Sequence, residues 1–276
     1  MILEQFEKHI EQIGCGPSAK YYLSDLRKFA RWLKRDITSA LKSDLIKYLE
    51  YLLDFGGRSK TKAKISTVNR ALISLSIFFK WALDQRLIKA NPAEELELLK
   101  EAASPPEWLS KEDQSKFMHA VHAGQNIRDI AICNLMLYAG LQVSEICSLK
   151  PGDFILKKGS GQVIVRAARG RDQRVVPLDD TLQNMLSSYI KKSGAVLFES
   201  QKGGTLTPRG IQYMIKRYAH QANLENVTPR ALCNTFRNKL LQLGTNLEKA
   251  AELAGHLTPN TIKRYLTLGT DNRLQQ

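Results

Sequence analysis

VTPRALCNTFRNKLLQLGTNLEKAAELAGHLTPNTIKRYL, residues 227–266, decides how the rest of the chain reads. Thr228-Pro229 predicts a helix start, because the hydroxyl can cap free backbone N–H groups and Pro at the first helical position forfeits no hydrogen bond. Leu232, Phe236 and Leu240 recur every four residues, so one face of that helix is apolar and buried, and Gly244 ends it. Leu247 to Leu253 predicts a second, short helix closing at Gly255. His256 follows the glycine directly, and Thr258-Pro259 opens a run that reaches Tyr265.

Outward from this stretch, composition sets the bounds. A chain of 276 residues can hold two domains, and 43% hydrophobic with 25% charged residues is ordinary for a soluble globular protein. A formal charge of +14 favours a polyanionic partner, since cations gathered on one face displace counterions from phosphate. No apolar run approaches the roughly 20 residues of a membrane span and no signal peptide opens the chain, which predicts a cytoplasmic protein without a membrane partner. Cys15, Cys133, Cys147 and Cys233 are scattered, without metal-ligand spacing. They suit a reducing compartment and give no reason to expect a metal or another cofactor.

Residues 1–99 read as an all-helical domain. Helices are expected over Leu3 to Ile13, Ser18 to Lys34, from a Ser43 cap to Leu53, and from about Thr67 to Gln85; Asn91-Pro92 stops any continuation. Between the last two lies GGRSKTKAKISTVNR, which places Arg58, Lys60, Lys62, Lys64 and Arg70 in a loop and the helix start after it. Read alone, the run is a solvated charge cluster; aimed at a phosphate, the helix dipole adds to its charge.

Residues 100–108 form a linker around Ala102-Ala103-Ser104-Pro105-Pro106, and residues 109–276 a second domain. Ser110 is its first helix cap, with Asp113 at the capping-box position, and Ile127 to Tyr138 is a core helix. Gly140-Leu141-Gln142-Val143-Ser144-Glu145 comes next. Gln162 to Arg166 and Gln173 to Leu178 predict a β-hairpin turning at Ala168-Arg169-Gly170-Arg171. A helix follows Asp179-Asp180 to about Lys192. After Pro208, another buries Ile211, Met214, Ile215 and Tyr218 and leaves Lys216 and Arg217 for phosphate.

These motifs together resemble the tyrosine recombinase, or phage integrase, family in its Xer-like two-domain form. The resemblance implies a mainly α fold. Its N-terminal four-helix, SAM-like core-binding domain clamps one side of duplex DNA, and its C-terminal mixed α+β catalytic domain carries a small antiparallel sheet. In the family a Tyr oxygen attacks phosphorus to give a 3′-phosphotyrosyl link without a metal, while two Arg and a His balance the charge and a Lys protonates the leaving oxygen.

The family patterns are Gly-Leu-Arg-x-Ser-Glu, Gly-Lys-Gly-x-Lys-x-Arg-x-x-Pro-Leu, His-x-x-Arg-His, Leu-Gly-His, and a Tyr nine residues on. Against them this chain keeps Tyr265 as the nucleophile position, His256, the supporting Glu145, and Arg174, Pro177 and Leu178 of the hairpin. It departs at Gln142 and Cys233 for the two Arg, at Arg169 for the Lys, and at Arg230 and Asn234 for the two His. Gln142 carries no charge, Cys233 is a weak donor, and a guanidinium at Arg169 binds phosphate but donates a proton poorly.

What the resemblance implies for function is therefore a DNA-binding family member with cleavage impaired or lost, an accessory or regulatory factor of recombination or integration. Its partners would be double-stranded DNA, with either a homo-oligomer on that DNA or an active recombinase beside it. The DNA-facing set is Arg58, Lys60, Lys62, Lys64, Arg70, Arg169, Arg171, Arg174, Lys216, Arg217, Arg230 and Arg237. An active recombinase with a rearranged site is the alternative, since Arg230 and Arg237 share a helical face with Cys233. Against that, Arg237 reads as a solvent-facing charge and Arg230 as a plain backbone contact. A type IB topoisomerase needs the same missing arginines.

Overall fold

The computed structural model describes residues 2–13, 18–57, 61–101, 106–157, 159–166, 173–190, 194, 196–200 and 203–255. Its contacts divide the chain into two compact units, Met1–Ala103 and Ser104–Gln276. Outside the described residues lie Arg58, Lys60, the hairpin tip with Arg169 and Arg171, most of the expected hinge, and His256 and Tyr265.

The first unit consists of α1 (Ile2–Gln12), α2 (Ser18–Leu33), a 3-10 turn (Ile37–Ser39), α3 (Lys42–Phe55) and α4 (Ile65–Asp84). Helix α4 supplies the spine of the core, burying Val68, Leu72, Leu75, Phe78, Phe79 and Ala82. Phe6 of α1 meets Phe78 edge-on at 5.3 Å, and Phe29 of α2 stands 5.0 Å from the Tyr48 ring of α3. Helix α3 begins without the expected Ser43 cap. Asp44 instead accepts from the Leu41 N–H at 2.8 Å, which places Ser43 inside the first turn. Helix α4 starts two residues before the expected Thr67, because the Lys64 carbonyl already accepts from Thr67 and Val68.

The second unit runs α5 (Lys111–Ala123), α6 (Ile127–Tyr138), α7 (Val143–Ser148), a 3-10 turn (Pro151–Asp153), β1 (Phe154–Ile155), β2 (Gly161–Val165), β3 (Arg174–Leu178), α8 (Asp180–Ile190), α9 (Pro208–Gln221), α10 (Pro229–Gln242) and α11 (Leu247–Leu253). The strands form an antiparallel sheet in the order β1-β2-β3, with Val163 opposite Val176 and Val165 opposite Arg174. Strand β1, two residues long, is too short to leave an alternation in the sequence. Helix α6 is the buried centre: Ala131, Ile132, Cys133, Leu135, Met136 and Leu137 are all inside. The expected caps are made by side-chain oxygens. Ser110 accepts from Asp113 N at 3.0 Å and Thr228 from Ala231 N at 3.0 Å. Helices α6 and α11 have the bounds that the apolar run and the two glycines imply. No described helix is long and apolar enough to cross a membrane.

Candidate functional site

Four elements of the second unit meet in one polar cluster: the start of α7, the start of β3, the middle of α10 and the end of α11. Strand alternation turns Arg174 inward, since β3 buries Arg174, Val176 and Leu178 and exposes the residues between. Its guanidinium donates from Nη1 and Nη2 to both oxygens of Glu145, at 2.7 and 2.9 Å, and from Nε to the Leu253 carbonyl at 3.0 Å. Glu145 in turn accepts from the Gln142 N–H at 2.7 Å, as an acid in the third position of a helix does. Gly255 closes α11 with φ of +65°, and a Cβ there would lie 2.6 Å from Arg174 Nη1, so only glycine fits.

Helix α10 brings Cys233 within electrostatic reach of this pair and carries Asn234 and Arg237 beside it. Phe236 seats the helix by packing on Gly140, whose φ is +64° and where a Cβ would fall 2.3 Å from the ring. The Cys233 thiol donates to the Leu141 carbonyl at 3.1 Å. Burial pushes that thiol up to about 11; the charges of Arg237 and Arg174 oppose the rise, and Glu145 adds to it. Asn234 donates to the Glu107 carbonyl at 2.8 Å and accepts from Arg237 Nη1 at 2.7 Å.

Two assignments from the sequence are corrected by burial. Arg174, taken as DNA-facing, has a side chain 4% exposed and is committed to Glu145 and Leu253. Arg237, read as a solvent-facing charge or a DNA contact, is 5% exposed and lies beside Asn234. Both sit on faces that carry apolar residues; partners from α7 and α11 make the burial of Arg174 tolerable, and Asn234 of the same helix takes Arg237. Gln142 is half-buried at the N-cap of α7, while Arg230 and Lys216 are exposed. Lys62 and Lys64 are likewise exposed, in the first unit.

Two arginines from the DNA-facing set are held by buried acids that sequence reasoning missed. In the first unit Asp25 takes Arg70 at 2.8 and 3.0 Å. In the second, Asp129 accepts from Arg217 Nη2 at 3.1 Å, from the Tyr218 hydroxyl at 3.0 Å and from Arg128 at 2.8 Å, with Arg217 lying 4.6 Å over the Tyr218 ring. The acid and arginine on the Tyr218 side push its phenol in opposite directions, and burial raises it first. A signal for both acids exists. Asp25 falls on the apolar stripe with Tyr22, Leu26 and Phe29, and Asp129 interrupts the apolar run of α6.

A helical unit followed by an α+β unit whose motif-bearing elements converge on one cluster defines a two-domain integrase-type fold. Residues 107–271 match the phage integrase family and residues 2–89 the phage integrase N-terminal SAM-like domain. Tyrosine recombinase XerC of Myxococcus xanthus is 30% identical over 292 aligned residues, spanning 100% of this chain and 95% of that protein. A tyrosine recombinase of Thermosipho africanus is 26% identical, spanning 96% and 94%. Among solved structures, the Tn1549 transposon integrase in complex with transposon right end DNA superposes with a TM-score of 0.74 at 18% identity, spanning 100% of this chain and 99% of that one. The chain belongs to the tyrosine recombinase family.

Proposed function

We propose that this protein binds duplex DNA during recombination or integration while its own strand-cleaving chemistry is lost or severely impaired, so that it serves as an accessory or regulatory factor. The observation that carries this reading is Cys233. Where the family pattern has an arginine for the transition-state phosphate, a buried neutral thiol is committed to the Leu141 carbonyl. Gln142 brings no charge to the other arginine position, and the acid that would support a guanidinium there is taken by Arg174. Losing one preorganised donor costs about 10²–10³ in rate, and losing an arginine at a transferring phosphoryl group about 10³–10⁵. Such losses within one site do not add, but the loss of both cations leaves little cleavage. Supporting the DNA partner are the formal charge of +14 and the family membership. The protein then works in the cytoplasm at the nucleoid, either as copies of itself on DNA or beside an active recombinase.

The test is a nicked suicide duplex that traps any phosphotyrosyl adduct. Wild type should give no SDS-stable protein–DNA band. Joint restoration by Gln142→Arg, Arg169→Lys, Arg230→His and Cys233→Arg should give some, and single reversions almost none. A wild-type band that disappears in Tyr265→Phe would establish a second reading, an active recombinase with a rearranged site. The burial of Arg237 one helical turn beyond Cys233, near enough to act on its thiol, is what favours that alternative.

A further inference from the structure

We infer that Arg70 reads a guanine in the major groove, held for that task by Asp25. This deepens the DNA-binding reading above and rests on it. A guanidinium has five N–H donors in one plane. Asp25 takes it side-on, through Nε at 2.8 Å and Nη2 at 3.0 Å. The remaining donors lie on Nη1 and the outer side of Nη2, and no described residue takes them. That end-on edge can donate to O6 and N7 of guanine together.

The side-on grip is itself fixed. Asp25 is 3% exposed, and Ser74, fully buried one turn along α4, donates to the Arg70 carbonyl at 2.9 Å with its hydroxyl oxygen 3.3 Å from the carboxylate. The Arg70 side chain remains 40% exposed. One edge is thus locked in the unit's interior while the other faces water. Tyr21, itself exposed, flanks the cation with its ring centroid 5.6 Å away. Lys28 stands half-exposed with Nζ 3.8 Å from the same carboxylate, a second cation beside Arg70.

Stability alone accounts poorly for this arrangement. A half-exposed ion pair contributes little, and a buried carboxylate carries a desolvation cost that an apolar residue on the same stripe avoids. The arrangement does remove most of the rotamer freedom that a long arginine otherwise loses on binding, and it fixes the plane in which the base must lie. An ammonium on a flexible stem offers no such plane.

The experiment selects duplexes from a randomised pool with wild type, Arg70→Lys and Asp25→Asn, each checked for an unchanged melting profile, and then measures affinity for the selected site and its single-pair variants. Arg70→Lys keeps a cation for Asp25, and Asp25→Asn keeps the shape and one acceptor, so both preserve the fold. Wild type should prefer G·C at one pair by about 5- to 150-fold, the range of a bidentate contact. Both variants should lose most of that preference at that pair, while the preferences at the other pairs of the selected site stay as in wild type. A merely structural pair would leave the preferences as they are or lower them evenly at every position, and either outcome overturns the inference. Failure of wild type to bind any duplex would remove the DNA-binding reading itself; a selected site whose preferences ignore Arg70 removes only this one.

Discussion

Replacing Arg174 with Met should cost the second unit more than any surface change. The side chains of the pair are 4% and 7% exposed, and the substitution deletes the hydrogen bonds of 2.7 and 2.9 Å to Glu145 and that of 3.0 Å to Leu253. Breaking a buried ion pair from one side costs about 3–5 kcal/mol, because the other charge stays behind uncompensated. Glu145 keeps the Gln142 N–H at 2.7 Å, which argues for the lower half of that range. The orphaned Leu253 carbonyl adds about 1 kcal/mol. A total near 4 kcal/mol corresponds to a fall of roughly 8–16 °C for a unit of this size. Differential scanning calorimetry is the assay, and only the transition of the second unit should move. Arg174→Met combined with Glu145→Leu should recover most of the loss, since replacing both halves by apolar groups is often neutral. A fall below about 2 °C, or a double variant as unstable as the two singles summed, would refute the coupling.

Gly140→Ala should destabilise the same unit by roughly 2–5 kcal/mol in urea unfolding, from the positive φ and a Cβ driven into the Phe236 ring; a loss under about 1 kcal/mol contradicts the packing described. The Cys233 thiol, held near 11 against about 9 when free, binds its proton more tightly in the folded state. Its contribution is therefore complete below pH 9 and lost as pH rises through 11, so wild type should weaken relative to Cys233→Ser by roughly 2–3 kcal/mol across that window. Parallel pH profiles would contradict a buried thiol. Changing Lys60, Lys62 and Lys64 together to Ala should weaken duplex binding and flatten the slope of log affinity against log salt; an unchanged slope takes that loop out of the interface.

Much of the fold was legible because it rests on local signals. Thr228-Pro229, Ser110 and the glycines after α10 and α11 set helix ends by capping and by positive φ, and the apolar run of α6 needed only its length. Start points failed where a backbone or carboxylate group did the capping, as at Asp44 and Lys64. In the site, the substitutions at Gln142 and Cys233 were plain from spacing, but the fates of Arg174 and Arg237 were not. Asn234 stands three residues before Arg237 on the same helix, but Arg174 depends on acceptors from distant elements: Glu145 lies 29 residues away, and Leu253 lies 79. Nothing in local sequence announces such partners. The acids beneath Arg70 and Arg217 were available as polar residues on apolar stripes, and that signal went unread.

The hydrogen bond from Cys233 to the Leu141 carbonyl bears on which sequences can be reached from this one. A pocket built for phosphate keeps cations close together and is relieved only when the anion arrives. Here the backbone acceptor at Leu141 is already satisfied, and the arginines nearby are turned toward Glu145 and Asn234. An arginine introduced at residue 233 alone would enter a closed space beside Arg237 and Arg174 and strip Leu141 of its donor. That single change therefore lowers stability before any new chemistry exists for selection to favour, and the small thiol acts as a barrier to a lone arginine at this position.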